Sequence, residues 1–305
     1  LHRLVQDVLR DSMDDAVQRQ WAERVIQSVN HVFPEVEVAN WPICQQYLPQ
    51  VQSCAALIET WHFTFPEATH LLHQTGHYLH EHGQYTEASL LLKQALEIRE
   101  QALDANHLDI AETLNQLAEA YRQQARYAEA EPLYKRALVI RESVLGSEHP
   151  DVATSLNNLA RPYHHLARYA EAEELYKRAL AIREQVLGPV HPDIAHSLND
   201  LAVLYDMQGR YEEAESLCKR ALAIREKELG LEHPNTVTSL GHLATVYSYQ
   251  KRYQEAEPLY RQSLAICEKV LGLLHPDTST SLINLAVNYN CLLYTSDAAD
   301  DLTRV

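Results

Sequence analysis

The sequence predicts an all-α fold, a solenoid of antiparallel helix pairs preceded by a helical cap. Three observations predict it. Ala, Leu, Glu, Gln and Arg dominate, and Gly numbers only 8 among 305 residues, a composition of helix formers. Tyr85, Tyr127, Tyr169, Tyr211 and Tyr253 stand 42 residues apart, as do His107, His149, His191, His233 and His275. A fixed period of that length marks a repeat array. Within each period apolar residues fall twice at helical spacing, with a short turn between.

Residues 1–64 precede the period and read as three or four amphipathic helices. Trp21, Val25, Ile26 and Val29 are expected on one apolar face, and Leu48, Val51, Ala55 and Ile58 on another. These helices would cover the open end of the stack.

The unit His149–Gly188 shows how each repeat is built. "HPD" opens the first helix, near 151–165. Pro150 suits the first turn, where its missing N–H costs nothing, and Asp151 faces the positive end of the helix dipole. His149 is then the cap-region residue. Leu156, Leu159, Ala160 and Tyr163 share one face. "LARY" makes the turn. The second helix, near 170–187, turns Ala172, Leu175, Tyr176, Ala179, Leu180 and Ile182 inward, and Gly188 is expected to end it in a left-handed conformation. A lone hairpin would leave half of this apolar surface wet. Burying one large apolar side chain is worth about 1.5–3 kcal/mol, so neighbours stack. Pro162 stands where the other units hold Tyr78, Ala120, Leu204, Val246 and Asn288. It removes a backbone bond to Asn158, so a kink is expected there.

The pattern "LNNLA…Y…RYAEAE.LYKRAL.I" resembles the tetratricopeptide repeat, in a 42-residue form similar to that of kinesin light chains. The resemblance covers roughly 65–290, with units near 65–106, 107–148, 149–190, 191–232, 233–274 and a partial 275–290. It implies a right-handed superhelix whose first helices line a concave groove for a protein or peptide. "HRLVQ.VLRD" resembles the segment that joins the ATPase part of NB-ARC-type signalling proteins to C-terminal repeats. On that resemblance an ATPase lies upstream of Leu1, and no G-x-x-x-x-G-K-[ST] loop occurs within the chain. The tail "CLLYTSDAAD" resembles a translated sequencing adaptor, so 291–305 is expected to be non-native.

A formal charge of −16 and the lack of a basic stripe argue against nucleic acid. No apolar run reaches the length of a membrane span, and no signal peptide is visible. Five cysteines without a C-x-x-C pair read as free thiols in a reducing cytoplasm.

The resemblance places the candidate groove residues on the first helix of each pair. They are His70, His73, His77 and His80; Glu112, Asn115, Glu119 and Arg122; Thr154, Asn157, Arg161 and His164; His196, Asn199 and Asp206; and Thr238 and Thr245. Asn115, Asn157 and Asn199 share one column, and such a ladder could clamp a peptide backbone with both donor and acceptor. His70, His73, His77 and His80 form a stripe at helical spacing. His73 and His77 have the spacing of a helical metal pair, but no acidic ligand completes a site, Glu81 being expected to point elsewhere. The 42-spaced histidines lie about 10 Å apart in a stack, too far to share an ion. The carboxylates of "EAE" and "REQ" read as outward charge paired with Lys and Arg along each helix, and no general acid–base pair converges.

The expectation is a non-catalytic protein- or peptide-binding scaffold without cofactor or metal. Its context would be the sensor arm of an NB-ARC-like signalling ATPase, with oligomerisation through the upstream domain. The alternative is a cargo adaptor similar to kinesin light chain.

Overall fold

The computed structural model describes residues 13–37, 40–273 and 275–302, with backbone alone for 276 and 294–302. The "HRLVQ.VLRD" segment and the last residues of the tail lie outside the described residues. Thirteen α-helices and no strand occur among the described residues. The chain divides into two compact units, Leu1–Ser147 and Glu148–Val305.

In the first unit α1 (Asp15–Val32) and α2 (Trp41–Trp61) precede two helix pairs. These are α3 (Pro66–Glu81) with α4 (Tyr85–Ala102), and α5 (Leu108–Gln123) with α6 (Tyr127–Leu145). Asp14 caps α1 by accepting from the Val17 N–H at 2.8 Å. The buried face of α1 is Ala22 and Ile26, continued by the partly buried Val29 and by Phe33. This corrects the expected face. Trp21 and Val25 are turned outward, 52% and 42% exposed, because the stripe runs one position later. On α2 the expected face holds, with Val51 and Ile58 sealed beside Cys44 and Cys54. Both helices pack on α3, so the stack is covered at that end.

The second unit holds α7 (Pro150–His165) with α8 (Tyr169–Leu187), α9 (Pro192–Met207) with α10 (Tyr211–Leu229), α11 (Pro234–Tyr249) with α12 (Tyr253–Val270), and α13 (Pro276–Leu302). Ala153, Leu156, Leu159, Ala160 and Tyr163 of α7 are buried against Ala172, Tyr176, Ala179 and Ile182 of α8. Small residues let the two backbones approach while the tyrosines fill the gap. α7 runs through Pro162 for the same 16 residues as α5, α9 and α11. The proline therefore does not interrupt the helix, and the Leu166 N–H bonds the Pro162 carbonyl at 3.0 Å.

The repeated histidine has a defined task. Nδ1 of His107, His149, His191, His233 and His275 accepts from the backbone N–H two residues on, at 3.1–3.2 Å. Each imidazole thus satisfies one of the open donors at a helix start.

The turn inside each pair rests on one residue with φ between 57° and 73°: Gly83, Ala125, Ala167, Gly209 and Lys251. The Arg that follows Ala125, Ala167, Gly209 and Lys251 lies over a tyrosine ring, 4.0 Å from the centroid for Arg168 on Tyr163 and 3.7 Å for Arg210 on Tyr205. It also pairs with a carboxylate in the helix that follows, Glu171 and Glu213 in these two cases. A left-handed conformation costs a non-glycine residue about 1–2 kcal/mol. Ala125→Gly with Ala167→Gly is therefore expected to stabilise the protein by about 1 kcal/mol per site, read as a higher midpoint in urea. Gly188 differs from its expected conformation. Its φ of 81° is combined with ψ of 162°, an extended arrangement open to glycine rather than a left-handed helical stop.

Candidate functional site

In the first unit the histidine stripe disperses. His73 is buried, with Nδ1 3.4 Å from Arg99 Nη1 and Nε2 3.5 Å from Glu112 Oε1. His70 reaches Asn30 of α1 at 2.8 Å. His80 lies 3.3 Å from Glu81, which turns toward the stripe and not away from it as the sequence suggested. His77, His80, Glu81, Asn115, Gln116 and Glu119 line a hollow of about 160 Å³. Burial holds the His77 and His70 imidazoles below their ordinary pKa. Glu119 receives Arg122 Nε at 2.9 Å and the Tyr134 hydroxyl at 2.6 Å. Among the described residues, no group of three or more His, Cys, Asp or Glu side chains is arranged to hold a metal ion.

The second unit gathers its polar side chains around Asp200. Asn157 donates to Asp200 at 3.2 Å, and Arg161 and His196 lie 3.6 and 3.4 Å from the same carboxylate. Arg161 Nη2 also meets His196 Nε2 at 2.9 Å. Asn157 and Asn199 are buried, 1% and 3% exposed. Their amides donate to Ser197 and Ser239 on the next first helix at 3.2 and 3.0 Å. This corrects the free asparagine ladder: at both positions the amide fastens adjacent first helices. Thr154, Arg161 and His164 stay partly exposed, and His196 and Thr238 are exposed.

Each unit also buries arginines that sequence reasoning missed, Arg99 in the first and Arg183 and Arg225 in the second. Arg99, Arg183 and Arg225 are only 4–7% exposed. Arg183 donates to Ser197, to Thr154 at 3.1 Å and to the Asp193 carbonyl at 3.4 Å. Arg225 donates to the Asn235 carbonyl at 2.7 Å and Ser239 at 2.9 Å. Arg99 donates to Thr113 and to the Asp109 carbonyl at 2.9 Å. Desolvation lowers all three guanidinium pKa values, opposed by nearby carboxylates. The arginines of the two "REQ" stretches and Arg225 of "REK" are thus structural. The signal was available: Ala172, Tyr176, Ala179 and Arg183 lie four, three and four residues apart on one stripe.

Asp206 and Thr245 occupy the same face further along. Asp206 Oδ1 is sealed from solvent without a partner, and burial raises its pKa to about 6. Where Tyr134, Tyr176 and Tyr260 stand in their repeats, the Asp206 repeat holds Cys218, whose thiol burial pushes up to about 12. The Tyr260 hydroxyl lies 3.1 Å from Thr245 and 3.4 Å from Ser248, the residue matching Asp206. A cysteine is too short to offer Asp206 the same donor. The folded pKa stands above the unfolded one, so this group favours the fold below pH 4 and loses that contribution as pH rises through 6. Asp206→Asn is expected to be about 1–2 kcal/mol more stable at pH 7, allowing for partial exposure, and unchanged near pH 4. Urea unfolding at the two pH values checks it.

The outward faces of the second helices carry their own ion pairs, Lys135 with Glu131, Lys177 with Glu173 and Lys219 with Glu215. No helix among the described residues is long and apolar enough to cross a membrane.

Comparison with known proteins agrees with this architecture. No curated protein sequence matches the chain. Among solved structures, nearly identical tetratricopeptide-like repeats assigned to a kinesin light chain of Podosopora anserina are 32% identical. That match covers 68% of this chain and 98% of the other, with a TM-score of 0.56. BtubC (BKLC) from P. vanneervenii is 26% identical over 84% of this chain and 94% of its own, with a TM-score of 0.58. The apo form of RapI, 20% identical with a TM-score of 0.56, shares the fold. The Tetratricopeptide repeat family profile matches residues 67–143, 109–184, 151–227, 207–269 and 242–304. With its period, its paired helices and that profile agreeing over most of its length, the chain belongs to the tetratricopeptide repeat family.

Proposed function

We propose that the chain is a non-catalytic scaffold that binds a protein or peptide along its first helices. One contrast carries this reading. The second helices pair their charges along themselves, with one another and with the turn arginines, whereas the first helices present hydrogen-bonding side chains from Thr154 to Thr238 above a fixed polar floor. The Asp200 cluster holds Arg161 and His196 in place, so a guest meets side chains already oriented. A displayed peptide library selected on the whole chain tests it. Ligands are expected to lose about tenfold in affinity with Arg161→Ala and His196→Ala together, a loss of about 1.4 kcal/mol. Selected ligands that bind the double variant unchanged remove this face from the proposal.

The larger context we propose is the cytoplasmic sensor arm of an NB-ARC-like signalling ATPase. It rests on the short "HRLVQ.VLRD" resemblance. A ligand would then act by favouring one arrangement of the protein over another. Likeness to kinesin-light-chain repeats favours a second reading, a cargo adaptor. Coding sequence upstream of Leu1 separates them. A phosphate-binding loop and winged helix support the ATPase, and a heptad coiled coil supports the adaptor.

A further inference from the structure

Two donors meet one hydroxyl at successive junctions of the second unit. Ser197 receives Asn157 and Arg183, and Ser239 receives Asn199 and Arg225. At the next junction the hydroxyl persists as Ser281, but both donors are missing. Gly241 stands in the asparagine column and Cys267 in the arginine column. Ser281 is left with Ser263 Oγ at 3.2 Å and the weakly bonding Cys267 Sγ at 3.5 Å. The space vacated is a cavity of about 260 Å³ lined by Thr238, His242, Ser263, Cys267, Asp277 and Ser281 among others.

We propose that this cavity receives an arginine side chain from a protein partner, its guanidinium entering where the repeat omits its own. The acceptors that hold Arg183 recur here in register. The Asp193 carbonyl, Ser197 and Thr154 correspond to the Asp277 carbonyl, Ser281 and Thr238, 84 residues on. His242 also lines the cavity, and its buried Nδ1 has no hydrogen-bond partner among the described residues. Burial lowers the His242 pKa, which disfavours an imidazolium charge that would oppose an arriving cation. Thr238 and Asp277 are exposed at the mouth, while Ser263, Cys267 and Ser281 are buried at the floor. No Lys or Arg lines the cavity, and the chain's charge of −16 draws cations toward it. A planar fork of donors suits several acceptors spread around one site better than an ammonium does.

The inference rests on the scaffold reading only for the source of the side chain. The pocket itself is tested on the whole chain with the capped peptide acetyl-Ala-Ala-Arg-Ala-Ala-amide. Its citrulline counterpart has the same shape without the charge. Titration is followed by the imidazole carbon resonance of His242. The arginine peptide is expected to shift that resonance saturably, and the citrulline peptide to bind at least about tenfold more weakly. Cys267→Arg supplies the guanidinium internally and is expected to abolish the response while raising the unfolding midpoint. Thr238→Val with Ser281→Ala deletes two acceptors and is expected to weaken the arginine peptide about tenfold. Equal response to the two peptides, no shift at millimolar arginine peptide, or undiminished binding in the acceptor-deleted variant each overturns the proposal. A library-selected partner that still binds Cys267→Arg at full strength, with the capped peptide inert, leaves the scaffold reading standing and removes this cavity from it.

Discussion

Arg183→Ala is expected to lower the unfolding free energy by about 3 kcal/mol. The guanidinium is buried and bonds Ser197, Thr154 and the Asp193 carbonyl, so its removal strands acceptors from two helices at once. Hydrogen bonds to a charged group are worth about 1.5–3 kcal/mol each, offset by the desolvation that the arginine itself suffers. The change also takes one positive charge from the surroundings of Asp200. Arg183→Met keeps most of the apolar stem and is expected to recover about half of the loss. Urea unfolding of the three proteins checks this. Full recovery with Met would mean that packing of the stem, and not the fork of donors, holds the junction.

The second large effect is expected from the helix starts. His149→Ala, His191→Ala and His233→Ala together are expected to cost about 3 kcal/mol, about 1 kcal/mol for each lost cap. The three caps belong to separate helices and share no partner, so their costs add. Asp at the same three positions is expected to restore the loss, since a carboxylate both accepts from the backbone and suits the positive helix end. Thermal unfolding of the triple variants measures both. A triple alanine variant as stable as the parent would show that the imidazoles do not support these helices.

Much of the fold is legible because the same instruction is repeated. Each periodic histidine falls at the residue just before a first helix, and each periodic tyrosine is the first residue of a second helix. Pro and Asp beside the histidine, and alternating three and four spacings within each helix, leave little choice of boundary. The N-terminal helices carry one copy of their pattern and no such check. Trp21 and Val25 are large and apolar enough to suggest a buried face one step from the stripe of Ala22, Ile26 and Val29.

The candidate site is less legible because a polar side chain that continues a buried stripe has, in sequence, the look of a surface residue. Arg183 and Asn157 are polar, yet each continues a buried stripe, Arg183 after Ala179 and Asn157 after Ala153. A hydroxyl one helix away makes that burial tolerable, and its distance in sequence, 40 residues from Asn157 to Ser197, hides it from local patterns. Thr154, Arg161, His164 and His196 keep more exposure and are legible as surface, although Thr154 also accepts from Arg183 and both Arg161 and His196 lie against Asp200. Asp200, at the middle of the cluster, fell between the columns and was overlooked.

The serine hubs also bear on how such a chain can lengthen or shorten over evolutionary time. Each seam draws its hydroxyl from one repeat and its amide and guanidinium from the repeat before. Recombination that excises 191–232 would set Asn157 and Arg183 against Ser239, an intact match. Excision of 233–274 would instead remove Gly241 and Cys267 and bring Asn199 and Arg225 onto Ser281, so loss of that one period would shorten the array and erase its vacancy in a single event.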